Sequence, residues 1–337
     1  MKRFGHLFEQ TVAFDNLLLA ADKALRGQKH KPAAARFYFH LESELLRLQE
    51  ELIGGTWRPL PYCVFSVCEP KPRQICASDL RDRVVHHAIC NALDPIFERR
   101  MISDSYACRR DKGTHAAVKR AQEFARRFDF FLQFDVRKYF ASVEHAALKE
   151  LLRRLLKDER LLALLDRIID HPLPGSEAGR GLPIGNLTSQ YFANLYLGEL
   201  DHFVKERLGV KGYVRYMDDG LLFGDEKPAL HEHLAATRDF LGDRLKVELK
   251  EEAVRLAPVW SGISFLGFRV FPGVIRLCGD KWSRFRRMVR EREAAYLAGE
   301  IDEEELARSV ASMIGHAQHA DTLAARRQFF SDSLNFG

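Results

Sequence analysis

Apolar residues along the 337-residue chain fall into two rhythms. Over the first 55 positions the rhythm is helical: Leu41, Leu45, Leu48 and Leu52 share one face at spacings of four and three, and Gly54-Gly55 ends the helix. From Trp57 to Ile75 short apolar stretches alternate with prolines, which predicts extended strands and turns. Asp79, a capping type of residue, precedes an apolar helical pattern that runs to Pro95, and a further helix ends near Phe128. Leucine-rich helices are predicted over 145–157 and 159–170, then a Pro-, Gly- and Ser-bearing connector from Pro172 to Gly181. Asn186, Thr188 and Ser189, all good cap residues, open a long helix to about Leu208, where exposed amides would attract phosphate unless the turn is an ordinary capped one. Residues 228–245 read as a helix, Gly262 to Phe268 as a strand or hairpin, and the chain from Lys281 through about Phe330 as helices again.

Two extended stretches carry acids. Phe130-Phe131-Leu132-Gln133-Phe134-Asp135-Val136 is an apolar run too short for an ordinary helix that delivers one carboxylate at its end. In Tyr213-Val214-Arg215-Tyr216-Met217-Asp218-Asp219-Gly220-Leu221-Leu222-Phe223, strand-formers flank an Asp-Gly step of the kind that closes two-residue hairpins. Asp218 and Asp219 put two adjacent charges at that tip. If the strand and the hairpin are neighbours in one sheet, three carboxylates converge and repel one another unless divalent cations neutralise them. Two such ions roughly 3.5–4 Å apart are the apparatus of phosphoryl or nucleotidyl transfer. The plainer alternative is a solvated Asp-Asp at a turn.

Composition narrows the class. A hydrophobic content of 46% is ample for a globular core, and a formal charge of +5 permits a polyanionic partner without demanding one. Six cysteines at 63, 68, 76, 90, 108 and 278 include no Cys-x-x-Cys pair and read as reduced thiols. No apolar run approaches the roughly 20 residues of a membrane span, and no signal-peptide core opens the chain, so a cytoplasmic protein without a membrane partner is expected. Prolines flank Lys71 and Arg73 and force extended backbone, which puts the two cations on one strand face, suited to a triphosphate or else to solvent. Arg81 and Arg83 reach nucleic acid or pair with Asp79 and Asp82. His86 and His87 point to different helix faces and read as structural. The basic loop Ser105 to His115 is a candidate nucleic-acid contact, as is Lys281 to Arg290, with five cations and two aromatics in ten residues.

Tyr-Met-Asp-Asp at 216–219 between apolar strands resembles the catalytic hairpin of reverse transcriptases. Lys-Pro-Arg at 71–73, Phe-Asp-Val-Arg-Lys-Tyr-Phe at 134–140, Gly-Leu-Pro-Ile-Gly-Asn at 181–186 and Phe-Leu-Gly at 265–267 follow the order of that family's fingers and palm motifs. Ile184-Gly185 with Ser189-Gln190, where most members carry Gln after the Pro, is similar to the reverse transcriptases of diversity-generating retroelements, which make adenine-mutagenised cDNA. The resemblance implies an α+β right-hand polymerase: an N-terminal helical segment over 1–55, fingers and palm with an antiparallel palm sheet over 56–270, and a helical thumb over 271–337, with no RNase H or endonuclease domain. It makes Asp135, Asp218 and Asp219 the catalytic carboxylates and adds Val136 to the metal-holding set for two Mg2+ ions, with Mn2+ able to substitute. Lys71 and Arg73 would hold the triphosphate, Phe140 would gate the sugar 2′ position, and Ile184 and Gly185 would lie beside the nucleotide. Tyr216 and Met217 would approach the primer terminus, with Phe265-Leu266-Gly267 as the primer grip. The implied partners are a template RNA, the RNA/cDNA duplex, dNTPs and a small basic accessory protein. Ile184 offers shape where Gln would offer a hydrogen bond, so errors should rise; their concentration at template adenines comes from the resemblance alone. Other bacterial retroelement or phage-defence reverse transcriptases, or a maturase-like module without chemistry, are the competing readings.

Overall fold

A computed structural model of the chain describes residues 3–68 and 72–334. Lys71 lies outside them. Four helices, Leu7–Val12, Phe14–Leu25, Pro32–Phe39 and Leu41–Ile53, form the N-terminal segment. Leu45, Leu48 and Leu52 are buried as their spacing predicts. Strands β1 (Cys63–Val67) and β2 (Arg73–Ala77) form a separate antiparallel pair. Helix Leu80–Arg100 follows, capped by Asp79, whose Oδ1 accepts from the Arg81 N–H at 2.9 Å. It runs through Pro95 rather than ending there. Leu93, Ile96 and Phe97 are buried on both sides of the proline, and this packing outweighs the one backbone bond that proline removes.

After helix Thr114–Ala125 come β3 (Phe130–Phe134), β4 (Gly212–Tyr216), β5 (Asp219–Gly224) and β6 (Arg255–Pro258), an antiparallel sheet in the order β4-β5-β3-β6. The acid-bearing strand and the hairpin are therefore neighbours. Both faces of this sheet are covered. Leu132, Phe134, Tyr213 and Leu222 enter the large core shared with the helices. Phe131, Val214, Leu221 and Phe223 enter a second core with helix Thr114–Ala125 and the small sheet of β7 (Ile263–Phe265), β8 (Phe268–Val270) and β9 (Ile275–Leu277). Burial on both sides explains why these strands read as nearly continuous apolar runs. The β7–β8 loop is Leu266 and Gly267, both at positive φ (52° and 85°), as a primed two-residue turn requires. Helices Gly279–Leu297, Glu303–Ala317 and Leu323–Leu334 gather around Phe285, Val289, Ala317 and Phe329.

Two expectations change. Asp-Gly is not the hairpin turn: Tyr216 pairs with Asp219, which leaves Met217 and Asp218 as the loop, with Met217 at φ 55°. Gly220 lies within β5 opposite Phe134 of β3, and an added Cβ would fall 2.1 Å from the Phe134 ring. The glycine is required by a ring lying over the strand rather than by a turn. Arg81 and Arg83 are paired, but with residues of the N-terminal segment rather than with Asp79 and Asp82: Arg81 with Glu51 at 2.8 Å and Arg83 with Gln28 at 3.3 Å.

Gly220→Ala should therefore overpack the sheet and lower the urea unfolding free energy by about 1–3 kcal/mol. An unchanged unfolding midpoint would contradict the close approach of Phe134.

Candidate active site

The tip of the β4–β5 hairpin is held from beneath by Arg215. This guanidinium is fully buried, and its Nε and Nη2 each lie 2.6 Å from the Asp201 carboxylate on helix Leu187–His202. Tyr213 donates to the same carboxylate at 2.8 Å, and Arg215 also reaches Asn194 Oδ1 at 3.0 Å and Ser105 Oγ at 3.1 Å. Its Nη1 donates to the Met217 carbonyl at 2.8 Å, so the turn is tied down from within the core. The Arg215 backbone exchanges hydrogen bonds with Asp104 and Tyr106, which covers the outer edge of β4. Neither Arg215 nor Asp201 was singled out from the sequence. The signal was an arginine inside a strand otherwise apolar enough to be buried, which demands a buried acid.

Asp218 sits at this tip, and its carboxyl is pushed up to about 6, first by burial and then by the negative charge of Asp135; Arg73 and Arg215 oppose the shift. The two acids therefore sense each other across β3 and the hairpin loop. Asp219 opens β5, and Val136 is buried, bridging to Leu249. Among the described residues no group of three His, Cys, Asp or Glu side chains is arranged to hold a metal ion. Asp135 and Asp218 act on each other electrostatically. Two repelling, partly desolvated carboxylates are a hard-oxygen donor set that fits a divalent cation, and Mg2+ in particular takes one or two carboxylates and completes its shell with water and substrate phosphate.

Arg73 stands exposed on β2 with its charge acting on Asp218. The segment 181–188 connects that strand to the rest of the site. Leu182 N–H donates to the Phe140 carbonyl at 2.7 Å, and Cys76 N–H donates to the Ile184 carbonyl at 2.9 Å. Phe140 lies on the short helix Tyr139–Ser142, half-buried against the core, and Ile184 is half-buried too. Gly185 takes φ 122°, and a Cβ there would meet Ile75 Cγ2 at 2.9 Å, so glycine is needed for both reasons.

Other expected contacts resolve differently. Asn186 precedes helix Leu187–His202 but its side chain makes no capping bond, so the turn is not an ordinary capped one, and Asn186, Thr188 and Ser189 are all buried. Thr188 Oγ1 instead contacts His86 Nδ1 at 2.8 Å, while Ser78 Oγ lies 3.3 Å from His86 Nε2. Burial lowers the His86 pKa from 6.5 to about 3, which fits the structural role read for it. In the basic loop, Arg109 turns inward to Glu98 and to the Ile102 and Ser105 carbonyls, and Lys112 donates to the Ser103 carbonyl. Those two cations brace the loop. All six cysteines are free, and no helix among the described residues is long and apolar enough to cross a membrane.

A family model described as "Reverse transcriptase (RNA-dependent DNA polymerase)" matches residues 69–270, more than half of the chain. The chain belongs to the reverse transcriptase family. It is by that membership an RNA-directed DNA polymerase, and the family as a whole uses divalent metal ions. Among curated relatives, it is 28% identical over 275 residues to Protein YkfC of Escherichia coli K12, covering 68% of this chain and 72% of that protein. It is 24% identical over 170 residues to the group II intron-encoded protein LtrA of Lactococcus lactis, covering 48% of this chain but 28% of LtrA. Its relatives thus include a bacterial protein and a group II intron-encoded protein. A solved telomerase from Candida albicans, in complex with a fragment of telomeric RNA, superposes with TM-score 0.50 at 11% identity over 88% of this chain and 59% of that one. That likeness concerns the fold, an α+β right-hand polymerase.

The buried His86 gives this reverse transcriptase a defined acid response. A folded-state pKa below the unfolded value means that its contribution to stability is complete above pH 6.5 and declines as pH falls below it. Between pH 7 and pH 5 that loss amounts to about 2 kcal/mol. Urea titrations at both pH values should show His86→Gln losing less stability than the parent by that margin; parallel losses would place the acid sensitivity on other groups.

Proposed function

We propose that the chain copies a structured template RNA into cDNA by adding deoxynucleotides to a primer end at the hairpin tip. The reading rests chiefly on Asp218, a half-buried carboxylate at the hairpin tip that burial and then the charge of Asp135 push upward, with the Arg73 cation close enough to oppose the shift. Asp135 and Asp218 would hold the divalent ions, Asp219 would be the third catalytic carboxylate, and Val136 would contribute beside Asp135. Two Mg2+ ions, with Mn2+ able to substitute, would supply Lewis acidity at the primer 3′-hydroxyl and the leaving pyrophosphate. The chain's own share is placement. Arg73 and Lys71 would hold the triphosphate, Phe140 would close on the sugar 2′ position, Met217 and Tyr216 would border the primer end, and Phe265-Leu266-Gly267 would grip the primer strand. In this reading residues 1–55 are an N-terminal helical segment, 56–270 the fingers and palm, and 271–337 a thumb that rides the RNA/cDNA duplex.

The finer reading is a mutagenic polymerase of a diversity-generating retroelement, working in the cytoplasm with a small basic accessory protein. Its support is Ile184 in the place of a hydrogen-bonding Gln, beside Gly185 and against β2. Losing a fixed polar contact near the templating pair weakens discrimination by about 1–3 kcal/mol. The group II intron-type relatives favour a second reading, an intron reverse transcriptase or maturase acting on intron RNA. The error spectrum separates the two.

Asp218→Asn should keep the fold and reduce divalent-dependent nucleotide addition by at least about a hundredfold. Undiminished synthesis by that variant would sink the assignment of the site. On a cognate RNA the parent enzyme should misincorporate preferentially opposite adenine, and Ile184→Gln should lower this error by about tenfold. Sequencing of the cDNA that found uniformly low error over all four template bases would remove the mutagenic reading and leave the polymerase in place.

A further inference from the structure

We propose that Asn186 is a positioning residue that holds the free edge of β2, and with it Arg73, in register with Ile184, and so sets the affinity for the incoming nucleotide; the nucleotide part rests on the function proposed above. Asn186 occupies the N-cap position of helix Leu187–His202, where an asparagine ordinarily accepts from the helix's own amides. Its side chain turns away from that task. Oδ1 accepts from Ser78 Oγ at 2.8 Å and from the Ser78 backbone N–H at 3.3 Å. Ser78 Oγ continues to His86, and His86 to Thr188, so the link starts and ends on helix Leu187–His202 and passes through helix Leu80–Arg100. Asn186 is 2% exposed, and its side chain also hydrogen-bonds to Tyr62, which stands just before β1. A side chain that forgoes a cap and spends its hydrogen bonds on Ser78 and Tyr62 joins its helix to the β1–β2 pair rather than stabilising its own helix start.

The geometry shows what it is placed for. Cys76 N–H bonds to the Ile184 carbonyl and Ser78, one residue past β2, to the Asn186 side chain, so the outer edge of β2 and its continuation gain a short ladder of one backbone and one side-chain rung. On its other edge β2 has β1, whose residues are all exposed. A two-stranded hairpin is marginal by itself. The line Arg73–Cys76–Ser78 is therefore fixed relative to Asp218 by this ladder, and Asn186 supplies its end.

The test uses the full chain with Asn186→Ala and Ser78→Ala, read by backbone hydrogen exchange and by steady-state kinetics on a matched primer–template. Amides at 73–78 should exchange about tenfold faster in Asn186→Ala with the remainder unchanged, and KM for dNTP should rise about fivefold with kcat within about twofold. Ser78→Ala removes only a hydroxyl and carries the same expectation should Asn186→Ala fail to fold. Unchanged exchange at 73–78, faster exchange spread over the whole chain, or a fall in kcat at constant KM would each overturn the proposal. If the parent incorporates no nucleotide, the polymerase reading fails, and the exchange data still decide whether Asn186 holds β2.

Discussion

The hairpin tip depends on one buried ion pair. Arg215 and Asp201 are both removed from water, which is costly, and the cost is offset because every direction of the guanidinium finds an acceptor: the carboxylate, Asn194, Ser105 and the Met217 carbonyl. Removing either partner would leave a bare charge in the core, at about 3–5 kcal/mol. The pair joins a long helix to the sheet beneath the loop that presents Asp218. Met217 can hold its left-handed backbone because its carbonyl is gripped.

That anchor allows the acids to sit where they repel. Asp218 is shifted upward by burial and by Asp135, an arrangement that a freely moving loop would relax by swinging one carboxylate into water. Fixing the loop keeps the two carboxylates where they repel, and a divalent cation held there by Asp135 and Asp218 would relieve that repulsion. Two carboxylates would suffice for such an ion, since Mg2+ commonly completes its shell with water and phosphate oxygens.

The strands and helices were legible because their signals are local. The apolar runs around Asp135 and Asp218 showed strands, and the spacing of Leu45, Leu48 and Leu52 showed a buried helix face. The misreadings arose where a distant residue decides. Gly220 looked like a turn glycine until Phe134, 86 positions away in the chain, was found lying over it. Arg81 and Arg83 read as reaching nucleic acid or pairing with the nearby Asp79 and Asp82, whereas their partners, Glu51 and Gln28, lie 30 and 55 positions away. Asn186 carried the right residue type for a cap, and sequence contains nothing to say that Ser78 would claim its oxygen first. The Arg215 network was signalled by composition, a charge in an apolar strand, but its partner on another helix was not.

The strand pair β1–β2 differs from the rest of the molecule in having almost no interior of its own: all five residues of β1 face solvent. The four-stranded sheet is buried on both faces, so the tip that carries Asp218 and the strand that carries Arg73 differ sharply in how much packing holds them. Warming would loosen the outer strand while the acids remain in place. With Arg73 holding the triphosphate as proposed, such an enzyme would lose its hold on small substrate first and its architecture much later, and cooling would restore the hold without any refolding.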